Sequence, residues 1–358
     1  MSSQKTLCLM TLVARHSALS FQWQTSLFAL CRLWFISVSL VIVGCSNKPE
    51  IIQISGAKMG TTYHITVVAD QLPPNDLEQH IDRLLSSVDR SMSTYKKDSE
   101  ISRFNQLPVG QTLVISQEFA DVLMISQKIW QLSGGAFDPT VAPLVDLWGF
   151  GPKATSDSVP SDHDIAAARE NTGFDGVVLS GLNLFKQKAV ELDLSAVAKG
   201  YAVDRVSDFL EMNALPDYLV EVGGEIRVSG SNPEGMPWRV AIEQPQLLAS
   251  VNKIVDVTNI SVATSGDYRN YFERDGVRYS HTIDPRTGKP IRHNLASVTV
   301  LNPSCAQADA WATAFSVLGA ERSIELAEKL DVAMYMLVRD NEQFIASSTR
   351  RFKAIIGE

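Results

Sequence analysis

The chain has 358 residues, 45% of them apolar and 20% charged, with a formal net charge of −8. That balance excludes an intrinsically disordered chain, which lacks apolar side chains to bury, and leaves length for one large domain or two intimate lobes. The acidic excess argues against nucleic acid as a partner, because phosphate backbones are held mainly by lysine and arginine.

Residues 1–44 read as an export signal. They hold Lys5, Arg15 and Arg32 but no Asp or Glu, and Leu33 to Val43 is an apolar run too short to span comfortably as a mature helix. Losing those three positive charges takes the net from −8 to −11. The run ends in Ile42-Val43-Gly44-Cys45, which resembles the bacterial lipobox, whose cysteine is lipidated and becomes the mature N-terminus. An ordinary cleaved signal or an uncleaved anchor fits the same run. Residues 45–54 read as a lipidated tether. With Cys8 and Cys31 removed and Cys45 carrying lipid, only Cys305 remains, so no internal disulfide is available and stability rests on packing.

Ile51 to Ser55 and Thr62 to Val68 have strand composition and flank Gly56-Ala57-Lys58-Met59-Gly60, read as a glycine-bracketed turn. Leu77, Ile81, Leu84, Leu85 and Val88 recur at helical spacing, which predicts an amphipathic helix over 77–90 with Ser93-Thr94-Tyr95 beyond its end. A second helix over 117–132 stops at Gly134-Gly135, as helices capped by glycine do. Capping does not account for Ala136-Phe137-Asp138-Pro139, where an aromatic ring and a carboxylate sit in a segment that the proline holds extended.

A short helix is predicted over 162–172. Glu191 to Ser195 then reads as a strand end leading into a helix over 196–204, capped by Ser195, whose N-terminus can receive an anion. Gly200 inside that helix costs about 1 kcal/mol relative to Ala, which predicts a close neighbour. Strands over 218–222 and 226–229, interrupted by Gly223-Gly224-Glu225, and over 238–243, 254–257, 261–264 and 296–301 continue an antiparallel pattern.

Period-two alternation over Tyr279 to Ile283 puts His281 on a face with Tyr279 and Ile283, and Asp284-Pro285-Arg286-Thr287-Gly288 is turn chemistry. A hairpin with a satisfied core histidine and a site with a titratable imidazole fit this stretch equally well. A helix beginning near Asp309 places Asp309 and Thr313 on one face. Asp309 is then either a first-turn charge complementing the helix dipole or, with Thr313, part of a hard-cation site.

With Met59-Gly60-Thr61, Ser93-Thr94-Tyr95, Gly134 to Pro139, Asp193 to Asp204, Gly223-Gly224-Glu225, His281 to Gly288 and Asp309 to Thr313 in this order, the chain resembles the ApbE family of FAD:protein FMN transferases. Ordered short motifs are far more specific than any one of them. The resemblance implies an α+β fold with mixed, largely antiparallel sheets, spanning a transferase domain over 55–345 ahead of a C-terminal segment, 346–358. It implies an exported, Mg²⁺-dependent enzyme, lipid-anchored and facing the periplasm from the inner membrane. The implied reaction moves the FMN half of FAD to a Thr or Ser hydroxyl of a target flavoprotein and releases AMP. Targets would be subunits of redox membrane complexes such as the sodium-pumping NADH:quinone oxidoreductase and Rnf complexes.

Carried over residue by residue, Met59, Tyr95, Ala136, Phe137, Asp138, Asp193, Lys199 and Ile283 would contact the flavin nucleotide. The carbonyl of Ala196 and the side chains of Asp309 and Thr313 would hold the metal. Ala312 stands where some members carry a second Asp, leaving one carboxylate there. His281 is the expected base, since an imidazole titrates near neutral pH. Asp284 would orient His281 or assist the metal, although strand parity puts it on the opposite face. Two other activities remain open: a flavin-binding exported lipoprotein and an FAD pyrophosphatase that uses water as nucleophile.

Overall fold

The computed structural model describes residues 49–153, 159–244, 250–266, 271–341 and 343–358; the expected signal, the lipobox and Cys45 lie outside them. One antiparallel sheet organises the chain, and its spatial order is its sequence order: β1 (Glu50–Lys58), β2 (Thr61–Ala69), β3 (Asp217–Val222), β4 (Glu225–Ser229), β5 (Ile260–Gly266), β6 (Leu295–Asn302), β7 (Ala333–Asp340) and β8 (Gln343–Ser348). Six helices enter between β2 and β3: α1 (Leu77–Met92), α2 (Glu100–Gln106), α3 (Gln117–Leu132), α4 (Ala142–Leu147), α5 (Asp162–Glu170) and α6 (Ser195–Met212). Between β6 and β7 come α7 (Cys305–Leu318) and α8 (Ala320–Lys329), and α9 (Arg350–Ile356) follows β8. The isolated bridge between Val141 and Glu191 is the one parallel pairing among the described residues.

Alternation along the strands divides the core in two. Ile54, Tyr63, Ile65, Val67, Tyr218, Val220 and Val222 point towards α1, α3, α6 and α7 and join their apolar faces in one cluster. Val68, Val228, Val262, Leu301, Tyr335 and Leu337 point the other way. There a hairpin of Trp238–Gln244 and Ser250–Val257, together with Phe352 of α9, covers them. With both faces covered, β6 is buried over nearly its whole length.

The sheet corrects both ends of the expected domain. β1 begins at Glu50, so residues 50–54 of the expected tether are folded strand. β8 and α9 belong to the sheet and its second core, so 346–358 is not a separate segment. The glycine-bracketed turn shrinks to Met59-Gly60, with φ of 55° and 73°, the two positive values of a tight hairpin turn. Gly56 lies within β1, where the Tyr63 ring crosses it so closely that a Cβ would come within 2.6 Å of the hydroxyl.

Helix α7 starts four residues before Asp309, and every residue but Gln307 and Thr313 is buried, so its Asp is not an exposed first-turn charge. The orphan N–H groups of its first turn are met from two sides. Ser304 Oγ accepts from Gln307 N–H, while Asp204, reaching from α6, accepts from the N–H groups of Cys305 at 2.9 Å and Ala306 at 3.0 Å. The close neighbour expected at Gly200 is this helix start: a Cβ on Gly200 would lie 2.4 Å from the Cys305 carbonyl oxygen.

Candidate active site

One cavity of about 770 Å³ gathers residues from every segment the sequence singled out except Met59-Gly60-Thr61. Its floor is the crossing of α6 and α7, which brings Ala196, Lys199, Asp309 and Thr313 together. The start of α6 is set by Asn105, whose side chain accepts from Leu192 N–H at 2.7 Å and donates to Leu192 O at 2.9 Å. That pair of bonds imitates a strand pairing and delivers Asp193 to the cavity wall. Asp193 Oδ1 accepts from Ser195 N–H at 2.8 Å, so Asp193, and not Ser195 as expected, serves the helix start.

A second wall is the turn after α3. Gly134 and Gly135, at φ of 62° and 77°, reverse the chain, and Gly135 N–H donates to Trp130 O. Ser133 Oγ accepts from Phe137 N–H at 3.1 Å and fixes the approach of Ala136 and Phe137 to the cavity. Asp138 is buried, which pushes its carboxyl above the ordinary range, against the pull of hydrogen bonds from Thr140 N–H and Oγ1–H. Thr94 and Tyr95 form part of the rim, the Tyr95 ring being 75% exposed.

The third wall carries His281. The strand expected over Tyr279 to Ile283 is two short pieces: Val277–Ser280 pairs with Tyr271–Arg274, and Ile283–Asp284 pairs with Lys289–Pro290. His281 sits in the break, which strand periodicity does not anticipate. The hairpin rests on a small aromatic core, in which Tyr279 stacks on Phe272 and Trp148. Trp148 Nε1–H donates to Gly288 O at 2.8 Å, and Phe150 meets the His281 ring edge-on at a centroid distance of 6.3 Å.

Asp284 does not line the cavity. Its carboxylate takes Arg286 Nε–H and Nη2–H, each at 2.8 Å, together with Arg286 N–H at 2.9 Å. Asp284 was expected to orient His281 or assist the metal; in this structure the turn commits its carboxylate to Arg286. Met59 also lies outside the lining, in the left-handed turn, packed against the main core. His281, Ile283, Tyr95, Ala136, Phe137, Asp138, Asp193, Lys199, Ala196, Asp309 and Thr313 all line it.

The floor is strongly charged. Lys199 Nζ lies 2.6 Å from Glu225 Oε1 and 3.8 Å from Asp309 Oδ2, which also accepts Gly200 N–H at 3.1 Å. Burial raises both carboxyls above their ordinary range. Burial also works against the Lys199 charge, but Asp309 and Glu225 outweigh it and hold the ammonium protonated. Among the described residues no three carboxylate, imidazole or thiol groups converge on a point. The oxygens that the resemblance offers to a metal, the Asp309 carboxylate, the Thr313 hydroxyl and the Ala196 carbonyl, all belong to residues lining this floor. This is a hard-oxygen set of low charge, and it fits a magnesium ion that keeps water and phosphate in its shell.

Sequence reasoning assigned no role to three further residues that line the cavity. His64 Nδ1 and Glu221 Oε2, 2.7 Å apart across β2 and β3, line the cavity, and only strand register could have brought them together. Glu225 was seen only as part of a turn motif.

An antiparallel sheet covered on both faces, with one deep cavity combining an imidazole, a lysine and buried carboxylates, is the architecture of an α+β enzyme. The ApbE family model matches residues 59–336, and the chain belongs to the ApbE family. It is 43% identical to an FAD:protein FMN transferase of Vibrio cholerae, over 91% of this chain and 100% of that one. Identity to the FAD:protein FMN transferase of Escherichia coli is 38%, over 91% and 97%. The crystal structure of the Pseudomonas stutzeri flavinyl transferase ApbE in its apo form superposes with a TM-score of 0.81 at 41% identity, covering 87% of this chain and 98% of that one.

Proposed function

We propose that the protein is an FAD:protein FMN transferase that uses magnesium and places FMN on a Thr or Ser hydroxyl of a target flavoprotein. The observation that carries this reading is the convergence, on one cavity of a chain of this family, of His281, Lys199, Asp309 and Thr313 with the Ala136 to Asp138 wall. The acceptor oxygen attacks the FMN phosphorus of FAD, its proton passes to the His281 imidazole, and the bond to the other phosphate breaks, releasing AMP. Ala136, Phe137 and Ile283 give the flavin nucleotide apolar surface, and the Tyr95 ring closes the rim. Asp309, Thr313 and the Ala196 carbonyl would hold the magnesium, which supplies charge neutralisation at the phosphate oxygens. Lys199 adds a fixed positive charge on the same floor.

The export reading belongs to this proposal. Lipid on Cys45 would hold the enzyme at the periplasmic face of the inner membrane, near subunits of NADH:quinone oxidoreductase or Rnf-type complexes. No helix among the described residues is long and apolar enough to cross a membrane. Cys45→Ala is expected to release soluble protein or leave the signal uncut; a membrane-bound variant of unchanged processed mass would refute the anchor.

Mass spectrometry of a candidate target incubated with FAD and magnesium tests the reaction. Addition of FMN to the target with release of AMP is the expected result. AMP with free FMN would make the enzyme a pyrophosphatase, and neither product would make it a flavin carrier.

A further inference from the structure

Gly223-Gly224-Glu225 is a motif to which the proposed reaction gives no task. Glu225 is only 4% exposed, yet it lines the cavity. Its Oε1 holds Lys199 Nζ at 2.6 Å, while Oε2 has no hydrogen-bond partner among the described residues. Lys199 Nζ stands 3.8 Å from Asp309 Oδ2, a looser ion-pair distance beyond hydrogen-bonding reach. Two buried carboxylates thus compete for one ammonium, and Glu225 holds it. Gly223 shapes the same arrangement. It has φ of 61°, and a Cβ there would lie 3.1 Å from Lys199 Cδ and 2.9 Å from Thr61 Cγ2. The bare Cα leaves the corridor along which the lysine stem runs.

We infer that Glu225 is a positioning residue which, with Gly223, holds the Lys199 ammonium off Asp309 and so keeps that carboxylate open to a divalent cation. The inference rests on the reading of Asp309 as a magnesium ligand. Attraction between opposite charges is several times stronger in a protein interior than in water, and a buried charge left alone is costly. With Glu225 neutral, Lys199 has Asp309 as its remaining partner on the floor. A flexible four-carbon stem lets the ammonium close on it. A cation would then have to displace a buried ion pair.

The test is calorimetric titration of MgCl₂, without FAD, into the purified protein and its Asp309→Asn and Glu225→Gln variants, with a crystal structure of Glu225→Gln grown without magnesium. Wild type is expected to bind magnesium and Asp309→Asn to lose it. Glu225→Gln is expected to bind about tenfold more weakly or worse, with Lys199 Nζ within about 3.2 Å of Asp309 in its crystal structure. Unchanged magnesium affinity in Glu225→Gln, or a Lys199 that stays away from Asp309, would overturn the inference while leaving Asp309 as the ligand. Full magnesium affinity in Asp309→Asn would instead remove the ligand reading, and the inference with it. Should Glu225→Gln not fold, Glu225→Asp decides: its withdrawn carboxylate must weaken magnesium, and unchanged affinity overturns the proposal.

Discussion

Replacing Gly200 with Ala probes how the floor of the cavity is built. In an isolated helix the change would stabilise by about 1 kcal/mol. Here the added carbon would stand 2.4 Å from Cys305 O, 2.6 Å from Cys305 C and 2.8 Å from Ala306 N, all backbone atoms of α7 that cannot rotate away. Reaching ordinary contact near 3.5 Å requires α6 and α7 to part by about 1 Å. Forcing an extra carbon into a packed core costs about 1–3 kcal/mol, and contact with rigid backbone on both helices belongs at the upper end. The Gly200 N–H bond to Asp309 and the Asp204 cap on α7 both span this crossing and would lengthen with it. Net of the helix gain, we expect destabilisation of about 2 kcal/mol, a fall in Tm of roughly 3 °C. Because Ala196 and Lys199 ride on α6 while Asp309 and Thr313 ride on α7, magnesium half-saturation in the transfer assay should rise as well. Thermal unfolding and that titration measure the two effects. A Gly200→Ala protein at least as stable as wild type, with unchanged magnesium response, would refute the argument that the crossing is closed at this point.

His281→Asn should lower transfer by about 10²- to 10⁴-fold while FAD still binds, and near-normal transfer at neutral pH would remove His281 as the base. Asp284→Asn should cost far less transfer than His281→Asn, because that carboxylate is committed to Arg286; an equal loss in the two would restore Asp284 to the chemistry. Asp138→Asn keeps the Oδ1 that accepts both Thr140 bonds and removes a buried charge. The folded carboxyl holds its proton more tightly than the unfolded one, so Asp138 lowers stability as pH rises through the carboxylate range. The Tm of the variant relative to wild type should therefore be higher at pH 7.5 than at pH 5, and a difference that does not change with pH would contradict this. Asp309→Ala removes the bond from Gly200 N–H and a buried charge partner of Lys199, so stability and activity should both fall. Unchanged magnesium half-saturation in that variant would identify Asp309 as a structural acceptor only.

What the sequence determined by itself was whatever depends on neighbours along the chain. Helical spacing placed α1 and α3, and strand composition and alternation placed β1 to β6, whereas β7 and β8 were not anticipated. The placements follow from side-chain periods of 3.6 and 2 that are complete within one element. The ordered motifs pointed to the family and to most of the cavity lining, because each is a short run held by one turn or one helix start.

The tertiary structure decided what depends on partners distant in sequence. Ser304 is a local cap for α7, but the other half of its cap is Asp204, about a hundred residues earlier, and a carboxylate arriving from another helix leaves no local pattern. The expected His281 strand broke because an aromatic core assembled from Trp148, Phe272 and Tyr279 supports two short hairpins. Asp284 turned to Arg286 because a turn brings their side chains together, whereas strand parity speaks only of faces. Above all, the division of Lys199 between Glu225 and Asp309 joins residues of α6, β4 and α7. Long-range electrostatics in a buried site is set by distances that exist only once the sheet and helices have packed.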